Sequence, residues 1–266
     1  MPERPPEHGF TAVDDQVDPS AWIDVLDRVR NEPAYAAYKA RITELLRPTG
    51  GGTYLEVGVG AGLDALALAS RFGVDVVGVD VSRTMVEEAK RRGLRDVHVA
   101  NAEALPFDDA NFDGCWSDRT FQHLANPEAA LAELARVTKS GGRIVVVDPD
   151  YDTQVVDVVD QELARRVLRF RADHLLRNGT LAHRMGGLFV RAGLSDVSVE
   201  AATVVLRHPA ALDNAMGLRD WAAVAHERGL LPAQDVDAWV RMIDEAVAEG
   251  HFLYSFALFL TAGTRR

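Results

Sequence analysis

Residues 54–69 read YLEVGVGAGLDALALA, joining one apolar run to another through glycines at positions 58, 60 and 62. Tyr54, Leu55 and Val57 favour a strand, and the run from Leu63 to Ala69 has the apolar density of a helix laid on a sheet. The glycines are therefore the turn between strand and helix. Glycine permits positive φ there and lets a ligand lie against bare backbone, while the free N–H groups at a helix start present partial positive charge. Such a turn is a ligand seat, and its surroundings decide which ligand.

Outward from this turn the chain alternates. Strand-like runs fall at 53–57, 75–80, 96–100, 112–117 and 143–148, with helical stretches at 63–72, 83–92 and 127–138. Apolar strands separated by helices and short turns indicate a parallel sheet covered on both faces. Upstream, helices are expected from Ser20 and after Pro33, the second with Tyr35, Tyr38, Ile42 and Leu45 on one stripe. Residues 1–18, rich in Pro, Asp and Glu without periodicity, are expected to be a disordered tail ahead of one domain over 19–266. Past residue 150 the rhythm changes: 155–192 looks helical, DVSVEAATVVL is strand-like, 210–248 is again helical, and HFLYSFALFLTAG closes the chain as an aromatic strand. The core is placed at 47–150, and 151–192 and 208–249 are read as a helical cap.

The chain of 266 residues carries a formal net charge of −11 and no block of five or six basic residues, which argues against a nucleic-acid partner. No apolar run approaches the roughly 20 residues needed to span a bilayer. MPERPPEHGF lacks the basic start and apolar stretch of a secretory signal, so a cytoplasmic protein is expected. The single cysteine, Cys115, rules out an internal disulfide or a cysteine-based zinc cluster, and its apolar setting suits a core thiol.

In an open parallel sheet, ligands bind at the carboxyl ends of the strands near the point where strand order reverses. Asp80 ends the second strand about 20 residues beyond the glycines, as suits a carboxylate accepting both hydroxyls of a ribose. That implies an adenosine-containing cofactor without separating a nicotinamide dinucleotide from S-adenosylmethionine. Leu63 stands where the dinucleotide fingerprint needs its last glycine, which disfavours an oxidoreductase. Asn101 and Glu103 follow the third strand, where they can face an adenine edge.

LEVGVGAG (55–62), VVGVDVSRTM (76–85), NAEALPF (101–107), FDGCWSDRTFQHL (112–124) and LARVTKSGGRIVVVDPD (134–150) together resemble the class I S-adenosylmethionine-dependent methyltransferases, particularly the small-molecule group with the ubiquinone/menaquinone-type enzymes. The resemblance implies a Rossmann-like α/β fold: a seven-stranded, mostly parallel sheet with an antiparallel last strand, N-terminal helices and a helical cap. It further implies that Gly58, Gly60 and Gly62 form the turn against the methionine part, that Asp80 binds the ribose, and that Val81 and Met85 border the adenine. Asn101, where the family usually has Asp, and Ala102 would address the adenine edge. Ser117 would turn its carbonyl toward the ammonium, and Glu56 would orient the loop or its water. Apart from the resemblance, Tyr35 and Tyr38 on the N-terminal helix are candidates to close the cofactor pocket, with core packing as the alternative.

Methyl transfer is displacement at a carbon activated by a sulfonium, so the protein has chiefly to align the acceptor and exclude water. A general base is optional. His123 is the candidate base, with Asp118 and Arg119 positioning the substrate or pairing with each other. No metal is expected, because Arg119 and Gln122 stand where the acids of a metal-binding ExxEH pattern would be. The expected reaction yields S-adenosylhomocysteine and a methylated small, partly hydrophobic acceptor, with carbon, nitrogen and oxygen all open, by a monomer or homodimer. The Arg-over-Lys balance and the Ala and Val content associate with bacterial specialised metabolism. The alternative is a methyltransferase-fold cyclase or isomerase that binds the cofactor without consuming it.

Overall fold

β1 (Thr53–Val57) pairs in parallel on both edges, with β2 (Asp75–Asp80) on one side and β4 (Phe112–Asp118) on the other. A strand bonded on both edges and covered on both faces turns no side chain to water, so Tyr54, Leu55 and Val57 are all buried. β3 (Asp96–Val99) lies beyond β2. On the other side β4 is followed by β5 (Thr138–Val156), β7 (Tyr254–Thr264) and, at the edge, β6 (Ser195–Leu206). Neighbours among β1 to β5 run parallel, and β7 is antiparallel to both β5 and β6. This is the seven-stranded, mostly parallel sheet the sequence implied, in the order 3-2-1-4-5-7-6. The chain builds outward from β1 in one direction and from β4 in the other, so a crevice opens between their carboxyl ends.

The computed structural model describes Phe10 and residues 12–16, 18–31, 33–208 and 217–266. One face of the sheet carries α2 (Pro33–Leu46), α3 (Leu63–Phe72) and α4 (Arg83–Arg91), whose Tyr38, Leu45, Leu68 and Val86 join Tyr54, Val76, Val145 and Val147 in one core. α5 (Pro127–Val137) and α7 (Met185–Arg191) cover the other, over Leu55, Val57, Cys115 and Ile144. Burying each such side chain is worth about 1.5–3 kcal/mol. Cys115 is among them, its thiol pushed up to about 12 by burial, as befits a core cysteine. Polar caps fix the helix starts nearest the crevice: Ser82 Oγ accepts from Met85 N (3.2 Å), and Asn126 Oδ1 accepts from Ala129 N (3.0 Å). Among the described residues no helix is long and apolar enough to cross a membrane.

The cap departs from expectation. The stretch read as helical over 155–192 is so only in parts: β5 stays paired with β7 through Val156, α6 covers Gln161–Phe170, and a π-helical turn (Arg171–Leu175) and a 3-10 turn (Ala182–Arg184) precede α7. Arg171 explains the wide turn, since its buried guanidinium lies over the rings of Tyr151 (3.8 Å) and Trp221 (4.5 Å). Asn178 then ties the following loop down, its Nδ2 donating to the carbonyls of Phe121 (3.0 Å) and Leu124 (2.8 Å). The helix read over 210–248 is instead α8 (Trp221–Glu227) and α9 (Ala233–Ala248), parted by Gly229 at φ 72° and by Pro232; residues 209–216 lie outside those described.

The expected disordered tail also needs correction where it is described. Phe10 stacks edge-on against Trp22 of α1 (Ser20–Asn31) at 4.7 Å, and Val13 is buried. Asp14 sits on the start of α4, accepting from Ser82 Oγ (2.7 Å), Arg83 N (2.8 Å) and Thr84 N (3.1 Å). Pattern reading misses this because a cap needs one acid in the right place rather than a periodic run. Residues 1–9, 11 and 17 lie outside those described.

Burial works against the Asp14 charge, but the bonds from Ser82, Thr84 and Arg83 outweigh it and hold the carboxyl at about 2, below its ordinary 3.8. A depressed carboxylate stabilises the fold above its unfolded value, so the contribution is full above pH 3.8 and disappears as pH falls through about 2. Asp14→Ala is expected to lower stability at neutral pH by about 0.5–1 kcal/mol, at the low end for a cap because the group is exposed. Urea unfolding at pH 7 and at pH 2 checks this: the difference between variant and parent should shrink at the lower pH.

Candidate active site

Gly58, Gly60 and Gly62 all take positive φ, at 76°, 51° and 79°. At Gly58 a second constraint applies, because a Cβ there would lie 2.7 Å from Thr120 Cγ2 and 2.9 Å from Thr120 Cβ. The turn is fastened to the end of β2. Gly58 N and Val59 N both donate to the Val79 carbonyl (2.9 and 3.0 Å), and Gly60 N donates to Asp80 Oδ2 (2.9 Å). Asp80 Oδ1 accepts from Ser82 N (3.0 Å). Burial raises the Asp80 pKa, opposed by these backbone donors. A carboxylate offers about four lone-pair positions, so roughly two stay open for the hydroxyls of a ribose.

Beside Asp80 the ends of β2 and β3 leave apolar surface bare, with Val81 61% and Val99 45% exposed. Met85, expected there as well, is 2% exposed and packs inward. Asn101 Oδ1 already accepts from Glu103 N (2.9 Å), which leaves its amide hydrogens as the freer group toward an adenine edge. Ala102 is buried, and Glu103 Oε1 is engaged by Asn126 N (2.8 Å).

At the end of β4, Ser117 is buried with its Oγ donating to the Val57 carbonyl (2.9 Å). Asp118 is held by Lys39 Nζ (2.6 Å) and the Tyr38 hydroxyl (3.0 Å). Lys39 and Arg30 also both reach Asp64 in the first turn of α3. The pairing of Asp118 with Arg119 is therefore secondary, at 3.7 Å. Arg119 holds φ at 56°, a left-handed conformation uncommon for a side chain of its size, and lays its guanidinium 5.4 Å over the Tyr35 ring. Glu56 is buried, one oxygen accepting from Trp116 Nε1 (3.1 Å), and burial drives its pKa well above the carboxylate range.

His123 lies in a 3-10 turn (Phe121–His123) with the Phe10 ring 6.2 Å away. Burial, with the cations of Arg119 and Arg177, lowers it to about 4. The ring is neutral at physiological pH and a weaker base than an ordinary histidine.

Sequence reasoning missed Arg30, Lys39 and Asp64, although Asp64 follows the glycine turn and Lys39 adjoins Tyr38. It also passed over Thr120 and Asp148, and considered Gln122 only as a missing metal ligand. Asp148 ends the core portion of β5, is fully buried, and accepts from Gln122 N (3.2 Å). Five buried side-chain atoms among the described residues lack a hydrogen-bond partner, and four belong to this region: Glu56 Oε2, Arg119 Nε, Gln122 Oε1 and Asp148 Oδ2. Buried polar atoms are seldom left so, and their grouping at the carboxyl ends of β1, β4 and β5 marks where a ligand completes the structure. A separate group, Asp150, Asp152 and His183, brings its oxygens and nitrogen within 4.8 Å of one another. There Asp150 Oδ2 is already committed to His183 through Nδ1 (2.6 Å) and the backbone N–H (2.9 Å).

The family profile described as "Methyltransferase domain" matches residues 55–146. A protein described as an uncharacterized 37.1 kDa protein in transposon TN4556 of Streptomyces fradiae is 32% identical over 244 residues, covering 90% of this chain and 70% of that protein. The O-methyltransferase resE of Aspergillus sclerotiorum is 31% identical over 134 residues, 48% of this chain and 51% of the relative. The chain thus spans most of the first relative and about half the length of the second. Among solved structures, geranyl diphosphate C-methyltransferase from Streptomyces coelicolor A3(2), in complex with Mg2+, geranyl diphosphate and S-adenosyl-L-homocysteine, is similar with a TM-score of 0.54 at 18% identity. That match covers 87% of this chain and 77% of the other, and at such identity it concerns the fold.

Two outcomes are expected. Gly58→Ala combines a disfavoured φ with the clash against Thr120 and should destabilise the protein by more than about 2 kcal/mol. Adding Thr120→Ala should restore only part of this in chemical denaturation, because the strain in φ stays. The His123 ring, titrated by NMR, should protonate near 4 rather than 6.5. A histidine depressed in the folded state stabilises above its unfolded value, so its share of stability is lost as pH falls from 6.5 toward 4.

Proposed function

The chain belongs to the class I S-adenosylmethionine-dependent methyltransferases, and from that membership we propose that it methylates a small, partly hydrophobic organic acceptor in the cytoplasm of a bacterium, as part of specialised metabolism. The carrying observation is the glycine turn locked to Asp80 at the crevice between β1 and β4, with unsatisfied polar atoms gathered beside it. These residues fit the cofactor. Asp80 has lone pairs to spare for two hydroxyls, Val81 and Val99 offer apolar surface for a ring, and Glu56 Oε2 awaits a donor such as an ammonium.

When bound, S-adenosylmethionine supplies a methyl group on a sulfonium, already activated for displacement. The chain's own work is then positional. The turn keeps Gly58 and Gly60 bare against the ligand, Asp80 fixes the ribose, and Asn101 with Ala102 addresses the adenine edge. Ser117 and Glu56 serve the amino-acid end. Tyr38, the Phe10 and Trp22 pair and the loop at Phe121–His123 border the crevice and exclude water, so an aligned acceptor meets the methyl carbon at high effective concentration. His123, neutral, accepts a hydrogen bond from an acceptor hydroxyl or amine and orients it. With its conjugate acid near 4 it is a poor proton store, so orientation is its main contribution.

The test is calorimetric titration with S-adenosylhomocysteine, followed by assay of its release from S-adenosylmethionine with a panel of phenolic, enolic and amine acceptors. Binding that weakens about tenfold or more in Asp80→Ala, with stoichiometric co-product release for one acceptor class, is the expected result. Absence of binding by folded protein overturns the reading. Cofactor retained unconsumed while a substrate isomerises or cyclises would assign the chain instead to the non-transferring enzymes of this fold.

A further inference from the structure

Arg119 Nε is the one nitrogen and the one cationic donor among the four unsatisfied atoms of the site; the other three are oxygens, on Glu56, Gln122 and Asp148. The Arg119 guanidinium makes no hydrogen bond among the described residues, and the carboxylate beside it, Asp118, is claimed by Lys39 at 2.6 Å and by Tyr38 at 3.0 Å. A donor on a cation shut off from water without a hydrogen-bond acceptor is costly, as Arg119 Nε is although the side chain as a whole is half-buried, and Arg119 is held there by a backbone at φ 56° that a non-glycine residue adopts only under constraint. The local charge is unbalanced in the same sense. Burial keeps Glu56 and Asp148 well above the carboxylate range, and among the described residues the ion pairs of Arg30, Lys39 and Arg119 are made with Asp64 and Asp118, three cations against two anions.

Which oxyanion Arg119 awaits follows from the side it faces. Arg30 and Lys39 stand with Asp64 at the start of α3, on the glycine-turn side where the methionine carboxylate of the cofactor belongs. Arg119 is within electrostatic reach of Asp64 but makes no ion pair with it, and its guanidinium lies over Tyr35, which joins Tyr151, Phe170 and Trp221 of the cap in a single apolar cluster. We propose that Arg119 is a specificity residue for the acceptor, binding a carboxylate or phosphate group that the acceptor carries beside its apolar body. This rests on the methyltransferase reading and narrows its substrate to an amphipathic anion. A planar guanidinium suits such a group because two N–H donors meet two oxygens at once.

Arg119→Gln, Arg119→Lys and Arg119→Gly test it. The glycine variant suits the observed φ and so removes the guanidinium without straining the fold. Calorimetry with S-adenosylhomocysteine and with 5′-methylthioadenosine, which lacks the amino-acid part, is paired with thermal unfolding of S-adenosylhomocysteine-saturated protein in benzoate, phenyl phosphate and the neutral benzamide. S-adenosylhomocysteine affinity should stay within about threefold of the parent in every variant. Benzoate or phenyl phosphate should raise the parent's midpoint by about 2 °C more than benzamide does. That preference should vanish in Arg119→Gln and Arg119→Gly and survive in part in Arg119→Lys. Loss of S-adenosylhomocysteine affinity with 5′-methylthioadenosine unaffected would assign Arg119 to the cofactor's carboxylate and overturn the proposal. Intact cofactor binding with no preference for the anions, or with a preference that outlives the guanidinium, also overturns it. If the parent fails to bind S-adenosylhomocysteine, the methyltransferase reading falls first and this inference with it.

Discussion

The carbonyl of Val79 holds two N–H groups of the turn that follows β1, and Asp80, the next residue, holds a third. That clamp exists only because β1 and β2 pair in one register, Val57 beside Val79. Slipping the ladder by one residue would turn the β2 side chains to the opposite face and carry Asp80 away from Gly60. The ligand seat is thus a consequence of how two adjacent strands align, and the core packing that fixes the alignment also fixes the site. Leu55, Val77 and Cys115 lie side by side across three strands and share one buried face.

A second layer of organisation is electrostatic. α1 and α2 lie outside the sheet, yet their Arg30 and Lys39 converge on Asp64, and Lys39 continues to Asp118. Taking any one partner away would leave a charge in a water-poor setting, which costs far more than the pair contributes over an apolar substitute. The N-terminal helices are therefore integral to the crevice: α2 is seated by the buried Tyr35, Tyr38, Ile42, Leu45 and Leu46, and the charged side chains add a second attachment at the crevice end.

Much of the cofactor half was legible in the sequence, because it is built from local signals: alternating apolar runs, a GxGxG turn, an acid at the end of the next strand. β1, β2 and α3 follow from these, and the resemblance adds the seven-stranded, mostly parallel sheet. The cap was not legible to the same degree. Its course is set by Arg171 wedged between Tyr151 and Trp221 and by Asn178 bonded to the loop after β4, and these are contacts between distant positions that periodicity does not encode. Asp14 escaped notice because acidic, proline-rich composition describes a segment's average, whereas capping depends on a single side chain. Asp118 and Arg119 were found together, but their roles diverge because the nearer cation comes from α2, some 80 positions earlier in the chain.

β5, β7 and β6 do not stop where the parallel strands β1 to β4 stop, and β6 follows β7 as far as Leu206 beside Tyr254. The ladder of β5 with β7 runs from Arg143 and Thr264 through Asp150 and Ala257 and resumes, after an irregularity, at Val155 with Ser255 and Val156 with Tyr254, already among the cap helices. Sheet and cap therefore share a three-stranded mast rather than a hinge, and rocking the cap as a rigid lid would mean tearing backbone bonds along it. What the crevice accommodates is accordingly set by the side chains on a fixed frame, and exchanging one of them alters one pocket wall while the opening stays as it is.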